Sequence, residues 1–324
     1  MSVHERFIVA DIGGTNARFA WVTAGELALQ DITVYPCADF ENFPQAFACY
    51  RDAVGLQDVK RASISLACPV EQDWVELTNN HWVFSKQTAQ RELGLTQLYL
   101  LNDFAAMAYG MLCLKPEEKV LLHAGSSSLI QAPCAVVGPG TGLGVSALVP
   151  VAEGGWHAVS TEGGHISFAP QDALEMSILN ELFQQYPRVS VERLLCGDGL
   201  VQLYNTMAKI FALPVVFKSA AEITTAAKSG VCDFALRVVN QFCRMLGSVV
   251  GDIVLAQGAC GGVFLAGGIL PRFPEILLNS DFSKAMCNKG RMSDYLSKVP
   301  VNLATADHPG LSGAAAAAKF KLTD

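Results

Sequence analysis

The stretch VADIGGTNARFAWV, Val9 to Val22, decides how the rest of the chain is read. An apolar strand ends at an aspartate, passes through Gly-Gly-Thr-Asn and resumes as a second strand. Taken alone, the turn has two readings. It is a plain hairpin connection, or a turn whose outward N–H groups take the oxygens of an anion. The choice depends on partners elsewhere in the chain.

Around it, RFIVAD, NARFAWVTA and LALQDITVY read as three short strands within residues 6–35. A helical pattern near 40–54, a strand ASISLAC, a helix near 85–94 and a strand LYLLND follow, which argues an α/β domain. Residues 133–168 repeat the opening order: a strand, a Gly/Thr turn, a second strand, and a third after Gly154-Gly155. A duplicated unit, one per domain, is expected. The second half is mainly helical, with Phe234, Val238, Phe242, Met245, Leu246, Val249 and Ile253 on one face. The alanine-rich tail LSGAAAAAKF is helix-prone and can return to the first domain.

The 324 residues, 51% apolar and 16% charged, bound a globular chain of about two domains. A net charge of −7 gives no electrostatic footprint for nucleic acid or an anionic membrane. The ten cysteines have no C-x-x-C spacing and MSVHERF lacks an apolar signal region, so the thiols read as reduced and the location as cytoplasmic. No histidine pair has metal-binding spacing, so no protein-held zinc is expected. The uncharged run Ile253 to Pro271 contains five glycines and reads as a helix end, a connection and a buried strand, not a membrane span.

Gly13-Gly14-Thr15 and Gly140-Thr141-Gly142, one turn per domain, could hold one polyphosphate from two sides, with Asp11 engaging Mg²⁺ through water. GPGTGLG is followed by the β-prone VSALVPV, so its context is not that of a dinucleotide fingerprint, and P-loop spacing is absent as well. In LYLLNDFAAMAYGML, Asn102 or Asp103 is a helix N-cap, or Asp103 is a carboxylate at a strand end that takes a proton from an attacking hydroxyl. In STEGGHISF, Glu162 and His165 are either solvated turn residues or partners for sugar hydroxyls. Glu192, in RVSVERLLCGDG, reads from its neighbours as a first-turn glutamate after a Ser190 cap.

ADIGGTNARF, TNNHW, LLNDFAA, PGTGLGV, TEGGHISFAP, VSVERLLCGDGLVQLY, GGVFLAGGILPRF and HPGLSG together, in this order over nearly the whole chain, resemble the bacterial ATP-dependent glucokinases. Those belong to the sugar kinase, actin and chaperone-ATPase superfamily. The resemblance implies a two-domain actin-like, ribonuclease H-like α/β fold with an interdomain cleft. Its smaller domain covers residues 1–115 plus about 305–324, and its larger domain 116–304. It implies ATP-dependent phosphorylation of D-glucose at the 6-hydroxyl, the opening step of glycolysis, with Mg²⁺.

Carried over residue by residue, Asp103 is the base, and Asn102, Asp103, Glu162, His165 and Glu192 hold the sugar. Ala10, Asp11, Ile12, Gly13, Gly14 and Thr15 form the first phosphate segment, with Asp11 on the metal side. Gly140, Thr141 and Gly142 form the second, and Gly267 and Gly268 lie in the adenosine-side motif. The resemblance is compatible with a homodimer and gives no nucleic-acid or membrane partner. Three positions depart from the family pattern: Ala10 for glycine, Asp198 for proline, and Gln257-Gly258-Ala259-Cys260 for Leu-Gly-Thr-Phe. Two rivals remain, a kinase of this fold for mannose or an amino sugar and a sugar-responsive regulator. Regulators of that kind carry an N-terminal helix-turn-helix, whereas the first strand here begins by about Phe7.

Overall fold

The structure, a computed structural model, describes residues 5–126, 131–152 and 155–322; Gly154 of the expected Gly154-Gly155 turn lies outside them. The chain divides into two compact units. The first is Met1–Lys115 with Pro150–Ser160 and Ala306–Asp324, the second Pro116–Val149 with Thr161–Thr305. The sequence expectation counts Pro150–Ser160 with the larger unit. It groups with the smaller one, where Tyr109 Oη donates to Trp156 O at 3.4 Å and accepts from Ala158 N at 3.2 Å.

In the first unit, strands β1 (Arg6–Ile12), β2 (Asn16–Thr23), β3 (Gln30–Pro36), β4 (Arg61–Leu66) and β7 (Gln97–Asn102) form one sheet in the order β3-β2-β1-β4-β7. The pair β1 and β2 is antiparallel, whereas β1, β4 and β7 are mutually parallel neighbours. Period-two alternation divides β1 between two cores. Ile8, Ala10 and Ile12 pack with Phe43, Phe47 and Tyr50 of helix α1 (Phe43–Ala53), while Phe7 and Val9 pack with Leu311, Ala314 and Ala318 of α11 (Pro309–Lys321). Both faces are buried, which explains the near-continuous apolar run in the sequence.

The short helix α2 (Lys86–Glu92) starts at a Ser85 cap, and α3 (Asp103–Met111) follows β7 directly. The alanines and glycines of α11 bring its backbone onto α3: a Cβ on Gly313 would stand 1.7 Å from Ala106 O. The small hairpin of β5 (Trp74–Glu76) and β6 (Val83–Ser85) has no counterpart in the sequence reading. Its connection holds TNNHW and buries Trp82, whose Nε1 donates to Phe40 O at 3.1 Å.

The second sheet contains β8 (Lys119–His123), β9 (Cys134–Pro139), β10 (Leu143–Pro150), β11 (Trp156–Thr161), β12 (Gly262–Leu265) and β13 (Val301–Ala304), ordered β11-β10-β9-β12-β13-β8. Apart from β8 this is the order of the first sheet, with the third strand outermost, then the second, first, fourth and fifth. The pair β9 and β10 is antiparallel, and β9, β12 and β13 are parallel, as in the first unit.

Helices α4 (Ala173–Leu182), α5 (Gly197–Ile210), α6 (Ala220–Ser229), α7 (Asp233–Gln257), α8 (Pro274–Asn279), α9 (Phe282–Cys287) and α10 (Ser293–Leu296) complete this unit. Helix α7 is the one helix among the described residues long and apolar enough to cross a membrane, and 78% of its most apolar window is buried inside the protein. It is the central core helix, with Val238, Phe242, Leu246 and Val250 fully enclosed. The uncharged run after it resolves into the end of α7, a glycine-rich connection and β12, as its composition predicts.

Candidate active site

The parallel strands of the first unit end level with one another. Asp11 on β1 is the register partner of Ser65 on β4, and Leu66 is the partner of Asn102 on β7. Carboxyl ends of neighbouring parallel strands are where α/β ligand sites form. Alternation turns Asp11 toward α11, the side of Phe7 and Val9. Ser65 Oγ donates to Asp11 Oδ1 at 2.9 Å, and Arg18 Nη1 stands 3.9 Å from Oδ2.

Helix α11 begins at His308 without a side-chain cap, with Pro309 in its first turn. A Cβ on Gly310 would lie 3.0 Å from Asp11 Cγ and from both of its oxygens, so the positive end of the helix faces the carboxylate. Burial raises the Asp11 pKa, while the Ser65 hydrogen bond and the charges of Arg18 and His308 oppose the rise.

At the end of β7 the cap is Asn102: its Oδ1 accepts from Phe104 N at 2.9 Å, and its Nδ2 donates to Cys68 O at 3.4 Å. Asp103 is the first helical residue, and its Oδ1 accepts from the same Phe104 N at 2.8 Å. Burial raises the Asp103 pKa and the negative charge of Asp11 adds to it, against the lowering effect of the Phe104 N–H. A carboxylate made more basic in this way is suited to accept a proton.

In the first Gly/Thr turn, Gly13 N donates to Asn16 O at 3.0 Å and Gly13 O accepts from Asn80 Nδ2 at 3.3 Å. A Cβ on Gly14 would meet Asn79 Cβ at 2.8 Å. The asparagines of TNNHW therefore buttress this turn. The amides of Gly14 and Thr15 make no hydrogen bond within the described residues. Ala10 and Ile12 bury their side chains in the sheet core, so of this segment Gly13 to Thr15 forms the turn proper.

The second unit repeats the arrangement with different supports. Gly140 N donates to Gly142 O at 2.8 Å, and Gly140 O accepts from Gly197 N, the first residue of α5, at 2.9 Å. Here too two amides, those of Thr141 and Gly142, make no hydrogen bond within the described residues. Gly267 has φ +85° and leaves only 2.4 Å between a Cβ and Pro139 O, so glycine is required. Gly268 beside it has open space where a side chain would stand.

Glu192 departs from the expected helix. Val191 N donates to Ile166 O and Glu192 N to Gly164 O, so these amides are committed to the 164–168 segment. The helix starts only at Gly197, under a Cys196 cap, and Ser190 Oγ accepts from Arg193 N within a turn. From that turn Glu192 Oε2 accepts from Leu143 N at 2.8 Å. His165 Nδ1 is 3.8 Å from Glu192 Oε1, and its Nε2 is 3.8 Å from Glu162 Oε2. Glu162 is 87% exposed and His165 58%, while Glu192 is 31% exposed. A cavity of about 410 Å³ is lined by Thr141, His165, Glu192, Asp198 and Gln202, so the divergent Asp198 shares a wall with the second turn.

Each unit thus brings its own predicted residues together: Asp11, Asn102, Asp103 and Gly13 to Thr15 in the first, and Gly140 to Gly142, Glu162, His165, Glu192 and Gly267 in the second. Sequence reasoning missed Ser65, Arg18, Asn79, Asn80 and Gly310 as supports. The two serines at alternate positions of ASISLAC, opposite Ala62, Ile64 and Leu66, are the signal that could have found Ser65. No group of three or more metal-ligating side chains occurs among the described residues. One carboxylate with phosphate oxygens and water is a normal Mg²⁺ set, and Asp11 Oδ2, which among the described residues has only the 3.9 Å approach of Arg18, fits that role.

A family model described as Glucokinase matches residues 8–321. The chain is 42% identical over 319 residues to the glucokinase of Hahella chejuensis, covering 98% of each. A crystal structure of glucokinase from an Antarctic psychrotroph superimposes with a TM-score of 0.90 at 40% identity, covering 97% of this chain and 98% of that one. The mixed α/β sugar kinase fold extends to a ROK family glucokinase from Streptomyces griseus in complex with glucose and AMPPNP. That match has a TM-score of 0.62 at 18% identity and covers 96% of this chain and 98% of that one.

Proposed function

Because this chain belongs to the glucokinase family, we propose that it transfers the γ-phosphoryl group of ATP to the 6-hydroxyl of D-glucose, giving glucose 6-phosphate and ADP. The observation that carries the reaction is 42% identity to a glucokinase over 98% of the chain. Glucose and a nucleotide analogue in the Streptomyces griseus relative support the substrate pair.

Asp103 takes the proton of the 6-hydroxyl as that oxygen bonds to the γ-phosphorus and the bridging P–O bond to ADP breaks. Its half-buried position near Asp11 supports this assignment. Asn102, Glu162, His165 and Glu192 are the residues that the family resemblance gives to the ring hydroxyls, each of which needs an acceptor and a donor. The free amides of Gly14, Thr15, Thr141 and Gly142 take phosphate oxygens, and Gly267 and Gly268 lie along the adenosine. Bound Mg²⁺ would neutralise charge on the phosphates, and Asp11 would hold it through water.

The shared strand order of the two sheets supports a duplicated, actin-like and ribonuclease H-like ancestry. Ten free thiols accord with a cytoplasmic location, and the resemblance alone supports a homodimer. An ADP-release assay with glucose, mannose and glucosamine tests the reading. Glucose is expected to give the highest kcat/KM. A higher value for either other sugar overturns the substrate, and sugar binding with no ADP release overturns the reaction.

A further inference from the structure

Glu192 has two oxygens with two different duties. Oε1 looks toward His165 at 3.8 Å, on the side assigned to the sugar. Oε2 accepts the Leu143 N–H at 2.8 Å, which is the residue that closes the Gly140-Thr141-Gly142 turn and opens β10. The approach is tight enough that a Cβ on Gly142 would stand 2.5 Å from Oε2, so the turn has no room for a side chain beneath the carboxylate. The backbone of Glu192 is tied to the same place, since its N–H donates to Gly164 O at 3.0 Å, and a Cβ on Gly164 would lie 2.1 Å from Leu143 O. One carboxylate, anchored at its own backbone, is therefore wedged against the first strand residue after the turn.

We propose that Glu192, besides holding sugar, is the positioning residue of the second phosphate turn, and that through it sugar and nucleotide binding reinforce each other. The inference rests on the sugar site proposed above. The carboxylate is 31% exposed, and its terminal torsion is of the broad kind that a ligand can narrow. A hydroxyl donating to Oε1 fixes the carboxylate plane and with it the Oε2 bond to Leu143 N, which holds the amides of Thr141 and Gly142 in place. Coupling of this kind is reciprocal: the factor by which glucose tightens nucleotide equals the factor by which nucleotide tightens glucose.

Calorimetric titration with Mg²⁺ and AMPPNP, with and without saturating glucose, tests this on the full chain. Without sugar, Glu192→Ala should weaken AMPPNP by about 5-fold, the effect of losing one part-buried acceptor, although the side chain reaches only the backbone of the turn. Glu192→Gln, whose amide oxygen can still accept from Leu143 N, should bind AMPPNP within twofold of the parent while its glucose affinity falls. In the parent, glucose should tighten AMPPNP by about 5-fold or more, and Gly142→Ala, which displaces Oε2, should bring that factor close to one.

A merely structural role would weaken both ligands and leave the coupling factor unchanged. AMPPNP affinity in Glu192→Ala equal to the parent, or a parent-like coupling factor in Gly142→Ala, overturns the proposal. Weakened AMPPNP binding in Glu192→Ala, together with a parent protein that binds no glucose, would uphold the positioning role and overturn the sugar assignment and the coupling, so the two fail separately.

Discussion

Replacing Gly310 by alanine sets local propensity against site geometry. The residue lies in the first turn of α11 with an ordinary helical environment, where alanine is favoured over glycine by up to about 1 kcal/mol. The added Cβ would stand 3.0 Å from Asp11 Cγ, Oδ1 and Oδ2, closer than carbon and oxygen atoms pack, so something must move by a few tenths of an ångström. The helix backbone is held against α3 by Gly313, with no slack at Ala106 O, so the carboxylate is the part that yields. Its shift lengthens the 2.9 Å bond from Ser65, worth about 1 kcal/mol.

The two terms nearly cancel in stability and do not cancel in function. Gly310→Ala should leave the thermal midpoint within about 2 °C, while raising the Mg²⁺ concentration for half-maximal activity by about 5-fold or more, and the Mg²⁺ needed to support AMPPNP binding should rise in the same proportion. The assays are thermal unfolding, a Mg²⁺ titration of initial rate at saturating glucose, and calorimetry with AMPPNP. An unchanged Mg²⁺ requirement would refute the claim that Gly310 exists to admit the Asp11 carboxylate.

Other outcomes follow from the same geometry. Gly313→Ala puts a Cβ 1.7 Å from Ala106 O and should lower the unfolding free energy by about 3 kcal/mol, seen as a fall in the urea midpoint. Asp103 has a folded pKa above its unfolded value, so ionisation opposes folding once pH exceeds that raised value, and the penalty vanishes below the ordinary carboxylate range. Asp103→Asn should therefore raise the thermal midpoint at pH 7 and not at pH 3. Activity of the parent should fall on the acid side through the raised Asp103 pKa, in a pH profile of kcat. Glu162→Gln, at a side chain 87% exposed whose one contact among the described residues is the 3.8 Å approach to His165, should raise the glucose KM with little change in stability.

The strands and the long helix were legible because their periods are plain: alternation splits β1 between two cores, and three-to-four spacing marks the buried face of α7. The β5–β6 hairpin was not, because three-residue strands carry too little pattern, although Trp82 within it is fully buried. Glu192 shows the other limit. Its neighbours read as a capped helix start, but the amides of Val191 and Glu192 find partners in Ile166 and Gly164, far away in sequence, and the turn replaces the helix. Likewise the supports of Asp11 come from three separate segments, Arg18, Ser65 and Gly310, which only the register of β1 with its neighbours and the docking of α11 bring to one carboxylate. Glycine-rich motifs announced the turns; what they pack against is a tertiary fact.

The most direct measurement of the central claim is the turnover of glucose by the Asp103→Ala variant at saturating MgATP, beside its glucose affinity. In this variant kcat should fall by about 10² or more with glucose affinity held within about tenfold. A kcat near that of the parent would contradict it and remove Asp103 from the reaction.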